Sequence, residues 1–413
     1  MIHDMTPGLE QALRQGMMKA YLGFDPTATS LHVGNLAAIM LLQHFQRAGH
    51  KPIAVVGGAT GMVGDPSFKA AERQFLDKAT LLHNQECIHQ QLTKFLDFTP
   101  RANTAELVNN MDWLQPISML EFLRETGKHI TVNYMLAKDS VKRRLESGIS
   151  FTEFSYQLLQ AYDFYHLYTT QGVHLQIGGA DQWGNLTTGI ELIRRKTGKE
   201  AFALTIPLIT RAADGSKFSK SEKGNIWLDP TLTSPYEFYQ FWLNFSDSDA
   251  KRLIKVFTHL KQEEIENLIE EHEKAPHKRL LQKALAKETT TLVHSLEDYQ
   301  QVERAAELLF GRQSITDLDE KDLVLVLQSI PKIPLSSTQF ANLKQVIDLV
   351  GLTDVDAMFD SKAAMRRTIQ EGGMAINGER ITDPQQPITT QLLHGKYLLI
   401  QRGRKQHYLM EVK

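Results

Sequence analysis

Three features of the sequence predict a doubly wound parallel α/β domain, then a helical domain and a small α+β unit. Apolar runs closing in glycine or a polar loop alternate with helical stretches through the first half. Helical periodicity rich in Glu and Lys fills 235–327 almost without strand signals, and an Asn-Gly turn between apolar segments marks the tail. At roughly 150 residues per domain, 413 residues give room for two or three domains. Hydrophobic content of 42% and charged content of 23% suit a globular chain and argue against disorder. No run approaches the ~20 apolar residues of a membrane span, so no membrane partner is expected. The single cysteine, Cys87, excludes an internal disulfide and any Cys-based zinc site, and it fits a reducing, cytoplasmic compartment. The net charge of −2 means that any nucleic-acid contact must come from local basic patches.

The elements follow in order. Residues 1–18 have neither a basic start nor an apolar stretch, so no signal peptide is expected. Residues 20–24 form a short strand, and 36–48 a helix with a broad apolar face that Gly49 ends. The continuous apolar run 52–58 reads as a buried parallel strand, as do 173–178 and 204–209. Ser150 and Glu153 form a capping box opening a helix over 151–168. The domain boundaries expected are 1–233 for the α/β domain, 234–328 for the helical one and 339–413 for the α+β unit. Between the last two, 329–338 has two prolines and three serines and suits a linker. In the last unit Ser361 caps a helix bearing Lys362, Arg366 and Arg367, with Gly372 after it. Asn377-Gly378 then splits a hairpin, and strands at 397–401 and 407–412 flank the basic turn Arg402-Gly403-Arg404-Lys405.

Four loops carry the candidate chemistry. The first runs from Gly23 to Asn35, strand into helix. Gly34 allows close backbone approach, and His32 and Asn35 place donors near a helix N-terminus, where phosphate is favoured. The same residues would equally suit a turn with a cap and an incidental histidine. The second, Gly57-Gly58-Ala59-Thr60-Gly61-Met62-Val63-Gly64-Asp65-Pro66, is neither a dinucleotide fingerprint nor a P-loop, and Lys69 and Arg73 follow it four residues apart. The third joins Tyr156, Gln160 and Asp163, which share one helical face, to the loop from Gln176 to Asn185. The fourth, Asp214 to Ser221, sets Lys217 and Lys220 beside small hydroxyl residues, as a clamp on phosphate oxygens would; solvated loops look similar. There is no Ser-His-Asp constellation and no His-Glu-x-x-His, so no resident metal is expected. Catalysis should work by positioning and charge stabilisation.

In combination these loops are specific. The sequence resembles bacterial tyrosyl-tRNA synthetases, class I aminoacyl-tRNA synthetases, from about Tyr21 to the C-terminus. The likeness is carried by the His-x-Gly-Asn segment at 32–35, by the lysine signature at 217–221, and by GGATGMVGDPSFKAAER, FTEFSYQLLQAYDF and LQIGGADQWGN. It implies a Rossmann-like catalytic domain that activates L-tyrosine with ATP and Mg2+ to tyrosyl-adenylate and pyrophosphate. The tyrosyl group then moves to the terminal ribose of tRNA(Tyr), and no tightly bound cofactor is implied. Matched by motif, Tyr21 and Asp163 hold the substrate's phenol, and Asp65, Tyr156 and Gln160 surround its ammonium. Asn110 and Gln182 are polar contacts of the same pocket. Gly179 and Asp181 fall to the ribose, and Gly23, Asp25, His32, Gly34 and Lys220 to ATP. Thr27, His32, Asn35, Lys217 and Lys220 would stabilise charge on the departing pyrophosphate, with Lys69 and Arg73 nearby.

The resemblance also implies that 234–328 binds the anticodon and that 339–413 binds RNA through Lys362, Arg366, Arg367, Arg402, Arg404 and Lys405. A homodimer with its interface near Phe151 is implied as well. Arg194-Arg195-Lys196 could meet the acceptor stem, although cations at a helix end also simply complement the dipole. Two residues depart from the family pattern: Asn35 replaces a histidine, and Phe218 a methionine. The rival readings are another adenylate-forming enzyme of the same fold, such as tryptophanyl-tRNA synthetase or a small-molecule nucleotidyltransferase, and a catalytically silent RNA-binding descendant.

Overall fold

The computed structural model describes residues 2–65, 67, 76–139, 141–142, 148–210, 218, 220–221, 224–310, 332–350, 358–359, 361–389, 391–393, 395–403 and 406–413. Two compact units emerge. One comprises Met1–Asp229 and Phe245–Glu288, the other Pro230–Asn244 and Thr289–Lys413, so the helical stretch after Ser234 is shared between them.

The first unit is built on six strands: β1 (Asp4–Met5), β2 (Lys19–Phe24), β3 (Lys51–Val56), β4 (Glu106–Asn109), β5 (Leu175–Gly179) and β6 (Phe202–Ile206). Their order is β1-β6-β5-β2-β3-β4, parallel throughout except for the antiparallel edge strand β1. The chain winds outward from β2 through β3 and β4 on one side, and through β5 and β6 on the other. That is the doubly wound topology expected. β1 and β4 were not foreseen, being too short or too evenly half-buried to show a pattern. β6 ends before Pro207, which has no N–H to extend the ladder.

Four helices pack on this sheet: α1 (Val33–Arg47), α2 (Lys78–Leu92), α3 (Phe151–Gln171) and α4 (Trp183–Thr197). α1 begins at Val33, not at 36, because His32 caps it. α3 opens on the expected box: Glu153 N–H donates to Ser150 Oγ (3.2 Å), and Ser150 N–H to Glu153 Oε2 (3.4 Å). Gly172, at φ 68°, ends it. One side of α3 buries Phe164 and Leu167 with Tyr21, Ile53, Val55 and Trp113. Another buries Leu158 and Ala161 with Ile130, Met135 and Leu192. Truncating Phe164 would cost about 3–5 kcal/mol, as large-to-small core changes do. Opposite it, Gly189 on α4 is obligatory: a Cβ there would sit 2.9 Å from the Phe164 ring.

In the second unit a five-stranded sheet has the order β11-β10-β12-β13-β9, where β9 is Lys332–Leu335, β10 Met374–Ile376, β11 Glu379–Arg380, β12 Tyr397–Arg402 and β13 Gln406–Val412. Asn377 (φ 51°) and Gly378 (φ 86°) both adopt positive φ between β10 and β11, the tight hairpin that the Asn-Gly pair predicts. Within the expected linker 329–338, the described residues 332–338 do more than connect. β9 runs parallel to β13 at the sheet edge, where Pro334 is tolerated, and Leu335 turns into the core beside Val346, Leu398 and Met410. Ser336 then caps the helix Ser337–Asn342. No described helix in either unit is long and apolar enough to cross a membrane.

Candidate active site

β2 and β5 meet at the switch point of the first sheet, where ligands of such folds bind. They pair only at Ala20 with Leu175 and Tyr21 with Gln176. Beyond that rung a cavity of about 530 Å³ opens, lined from both strand ends by Leu22, Gly23 and Phe24 and by Ile177, Gly178 and Gly179. The expected residues Tyr21, Gly23, Asp25, His32, Gly34, Asn35, Asp65, Asn110, Tyr156, Gln160, Asp163, Gly179, Asp181 and Gln182 all line this one cavity.

Asp163 is buried, and each of its oxygens accepts one N–H: Oδ1 from the Trp113 indole (2.7 Å) and Oδ2 from Asn110 Nδ2 (3.0 Å). Burial pushes the carboxyl up to about 7 against the pull of these two donors, and the nearby Asp25 adds to the rise. Tyr21 lies beside it, 2% exposed, its hydroxyl 3.5 Å from the Gln160 carbonyl oxygen and its ring against Phe164. Burial, and then the Asp163 charge, hold the Tyr21 phenol well above its ordinary range.

Two further carboxylates are held by polar chains. Asp25 accepts from Tyr156 Oη and from Thr60 Oγ1, each at 3.1 Å, and Thr60 in turn accepts from Asn110 Nδ2 (2.9 Å). Gly57 makes room for this group, since a Cβ there would lie 2.3 Å from Asp25 Oδ1. On the β5 side, Gln182 Nε2 donates to Asp65 Oδ2 (2.6 Å) and Asn185 Nδ2 to Gln182 Oε1 (3.2 Å).

At the start of α1, His32 and Asn35 form a reciprocal cap. The His32 N–H donates to Asn35 Oδ1 (3.1 Å), and the Gly34 N–H donates to His32 Nδ1 (3.0 Å). An acceptor role for Nδ1 puts the ring proton of neutral His32 on Nε2. The backbone of Ile226–Leu228 pairs antiparallel with this loop: Val33 N–H donates to the Ile226 carbonyl (2.9 Å) and Leu228 N–H to the Leu31 carbonyl (2.8 Å). The rings of Trp227 and His32 lie 6.1 Å apart.

Other expected residues lie elsewhere. Thr27 is exposed and does not line the cavity. Lys69, Arg73, Lys217, Arg404 and Lys405 fall outside the described residues, as does the side chain of Lys220, whose backbone forms β7 (Lys220–Ser221) against β8 (Gly224–Asn225). Phe218 is buried against Phe257. Lys362, Arg366 and Arg367 are exposed on the helix Lys362–Gln370 of the second unit. Arg402 donates to the Met358 carbonyl, and its guanidinium lies over the Phe359 ring. Arg194 and Arg195 pair with Glu191, while Arg195 and Lys196 also donate to the carbonyls of His129 and Glu125. Sequence reasoning missed Trp113 and Trp227, and it gave Thr60 no role within its candidate loop; each joins the site through partners distant in the chain.

A parallel switch-point cavity lined by carboxylates and a capped histidine loop defines a nucleotide-binding α/β domain of the class I synthetase type. The family model for "tRNA synthetases class I (W and Y)" matches residues 13–311, and that for the "Tyrosine--tRNA ligase SYY-like C-terminal domain" matches 326–410. A tyrosine–tRNA ligase of Amoebophilus asiaticus is 65% identical over all of this chain and 97% of its own, and one of Bacteroides thetaiotaomicron is 57% identical over the same shares. A C-terminally truncated mitochondrial tyrosyl-tRNA synthetase of Aspergillus nidulans superposes with a TM-score of 0.68 at 30% identity, covering 75% of this chain and 91% of that one. The chain belongs to the tyrosine–tRNA ligase family of class I aminoacyl-tRNA synthetases.

Proposed function

We infer that the protein is a tyrosine–tRNA ligase, activating L-tyrosine with Mg-ATP and passing the tyrosyl group to the 3′-terminal ribose of tRNA(Tyr). One observation carries the reading most directly. A buried carboxylate, Asp163, has its two oxygens oriented by Trp113 and Asn110 and lies beside the Tyr21 hydroxyl in the cavity that the fold reserves for ligand. Such a group gains a hydrogen bond from a phenol and is left short of one by phenylalanine, which is how a site rejects the analogue lacking a hydroxyl. This enzyme family is itself the standard illustration of that discrimination.

The remaining roles follow from the same cavity. Asp65, Tyr156 and Gln160 receive the ammonium, with Gln182 bracing Asp65 and Asn110 bracing Thr60 and Asp163 in the same pocket. Gln160 Oε1 is buried with no partner among the described residues, as an acceptor awaiting an N–H would be. Gly179 and Asp181 take the ribose, and Gly23, Asp25 and Gly34 border the nucleotide. The tyrosine carboxylate attacks the α-phosphate, and the bond to the bridging oxygen of pyrophosphate breaks. Negative charge then grows on the leaving group, where the Nε2–H of His32, the Asn35 amide and the lysines at 217 and 220 would stabilise it, with Lys69 and Arg73 as further candidates.

The exposed helix of Lys362, Arg366 and Arg367 supplies RNA-phosphate contacts, together with the basic turn from Arg402 to Lys405, and the helical stretch 234–328 meets the anticodon. The protein acts in the cytoplasm as a homodimer. Supporting the dimer, Met119, Leu120, Val132 and Phe151 are exposed at 67%, 80%, 59% and 67%, an unusual concentration of apolar surface on neighbouring elements of the first unit. Tyrosine-dependent exchange of labelled pyrophosphate into ATP tests the reading, with phenylalanine and tryptophan as controls. Exchange with tyrosine alone supports it; no exchange from folded protein would favour a silent RNA-binding descendant.

A further inference from the structure

We propose that this cavity selects its amino acid by the protonation of the phenol, accepting the neutral form and refusing the phenolate, so that tyrosine analogues with acidic phenols lose binding as pH rises. The proposal rests on the tyrosine-activating reading and concerns the same site.

The first support is the hydrogen-bond arrangement. Ionised Asp163 can only accept, and each of its oxygens already holds one N–H, from Trp113 and from Asn110. A neutral phenol brings the proton that this carboxylate can still take. A phenolate brings none, and sets a second negative charge against a buried first one.

The second support is the charge inventory. Four carboxylates line the cavity, those of Asp25, Asp65, Asp163 and Asp181, and no lysine or arginine does so among the described residues. The groups facing Asp163 offer no compensation. Tyr21, Tyr156 and Tyr162 all feel its charge as a force keeping them protonated. Asp25 adds negative charge. Behind Trp113, His166 stacks on the indole at 4.8 Å, and burial lowers its affinity for a proton. A ligand cation fits this field, and a second anion at the phenol end does not.

The proton count gives the size of the effect. Asp163 and the bound phenol share one proton, so a ligand that is a phenolate in water must take one up on binding. Its affinity then falls about tenfold for each pH unit above its own phenol pKa, by linkage. Tyrosine, with a phenol pKa near 10, escapes this up to about pH 9. Ring fluorination makes the phenol more acidic while adding little bulk.

The test is equilibrium dialysis of the full-length protein with tyrosine, 3-fluorotyrosine and 3,5-difluorotyrosine from about pH 6.5 to 9. Taking the ratio of each analogue's Kd to that of tyrosine cancels any titration of the protein itself. The expected ratio is flat below the analogue's pKa and climbs about tenfold per unit above it, earlier for the difluoro compound. Pyrophosphate exchange should rank the three in the same order. A ratio that stays constant with pH, or refusal of the analogues at every pH, means that the site reads size and overturns the proposal alone. If tyrosine itself fails to bind, the synthetase reading falls and this one with it.

Discussion

The indole N–H of Trp113 donates to Asp163 Oδ1 at 2.7 Å, the shorter of the two bonds that orient this buried carboxylate. Burial raises the Asp163 pKa to about 7, and the indole opposes that rise. Trp113→Phe should therefore weaken tyrosine binding by about ten- to a hundredfold, the scale of a lost hydrogen bond to a charged group. It should also move the acid limb of the binding profile to higher pH, because the carboxylate becomes harder to form. A weakened but unshifted profile, followed by titration from pH 5.5 to 8.5 or so, would mean that the indole only fills space.

Asp163 also leaves a mark on stability. Its folded pKa, about 7, exceeds the ordinary value of 3.8, so between these limits the unfolded chain holds fewer protons and stability falls as pH rises. Asp163→Asn should remove that slope. Relative to wild type, the variant's melting temperature should rise between pH 4 and 7, by up to about 1.4 kcal/mol per unit in stability terms. His259 contributes the opposite trend. Burial, aided by Arg47 and His44, lowers it to about 4, so its contribution is present above its unfolded pKa and is lost as pH falls toward 4. Its Nε2 lies 3.0 Å from Gln43 Oε1, a contact that a glutamine amide can replace. His259→Gln should flatten the acid side only. Thermal melts of both variants across this range separate the two.

Trp227 packs beside His32 on a segment hydrogen-bonded to the histidine's own loop. Trp227→Ala should slow adenylate formation by about ten- to a hundredfold through misplacement of the ring, the penalty that loss of orientation carries. Tyrosine affinity should not change, and Trp227→Phe should restore most of the rate. Single-turnover kinetics with a parallel binding titration distinguish this from a general loss of fold, which would lower both.

Arg366 and Arg367 are exposed on the helix that Ser361 caps. Replacing both with alanine should weaken tRNA binding and reduce its logarithmic salt slope by about one per residue, with pyrophosphate exchange untouched. Filter binding at several salt concentrations gives the slope. An unaltered slope would place the RNA on another face.

Local features of this fold were legible in the sequence, and long-range ones were not. The Ser150–Glu153 box and the Asn377-Gly378 turn are written within a few residues, so pattern alone finds them. The face carrying Tyr156, Gln160 and Asp163 was found by helical spacing, and the cavity receives all three. Trp113, by contrast, reaches Asp163 across fifty positions of chain, and nothing local marks an indole as a carboxylate's partner. His32 and Asn35 were seen as donors to a ligand, yet the structure uses them first to cap α1, each satisfying a backbone N–H at the helix start. Arg195 and Lys196 show the same economy, since their cationic ends hold the carbonyls of His129 and Glu125. A polar side chain has several ways to be satisfied, and only the packed chain decides among them.

The short seam between β2 and β5 has a mechanical consequence. Two rungs, at Ala20 and Tyr21, preceded by the bond from the His174 N–H to the Lys19 carbonyl, join the two halves of the sheet. Past them the strand ends are free to breathe against each other, and a ligand seated between them becomes the missing mortar. Loading the site should therefore stiffen the sheet itself. Those amide protons of 22–24 and 177–179 that face the gap would exchange with solvent more slowly in the liganded protein, while amides bonded across to β3 and β6 would change little. In this architecture the substrate completes the span that the backbone leaves open.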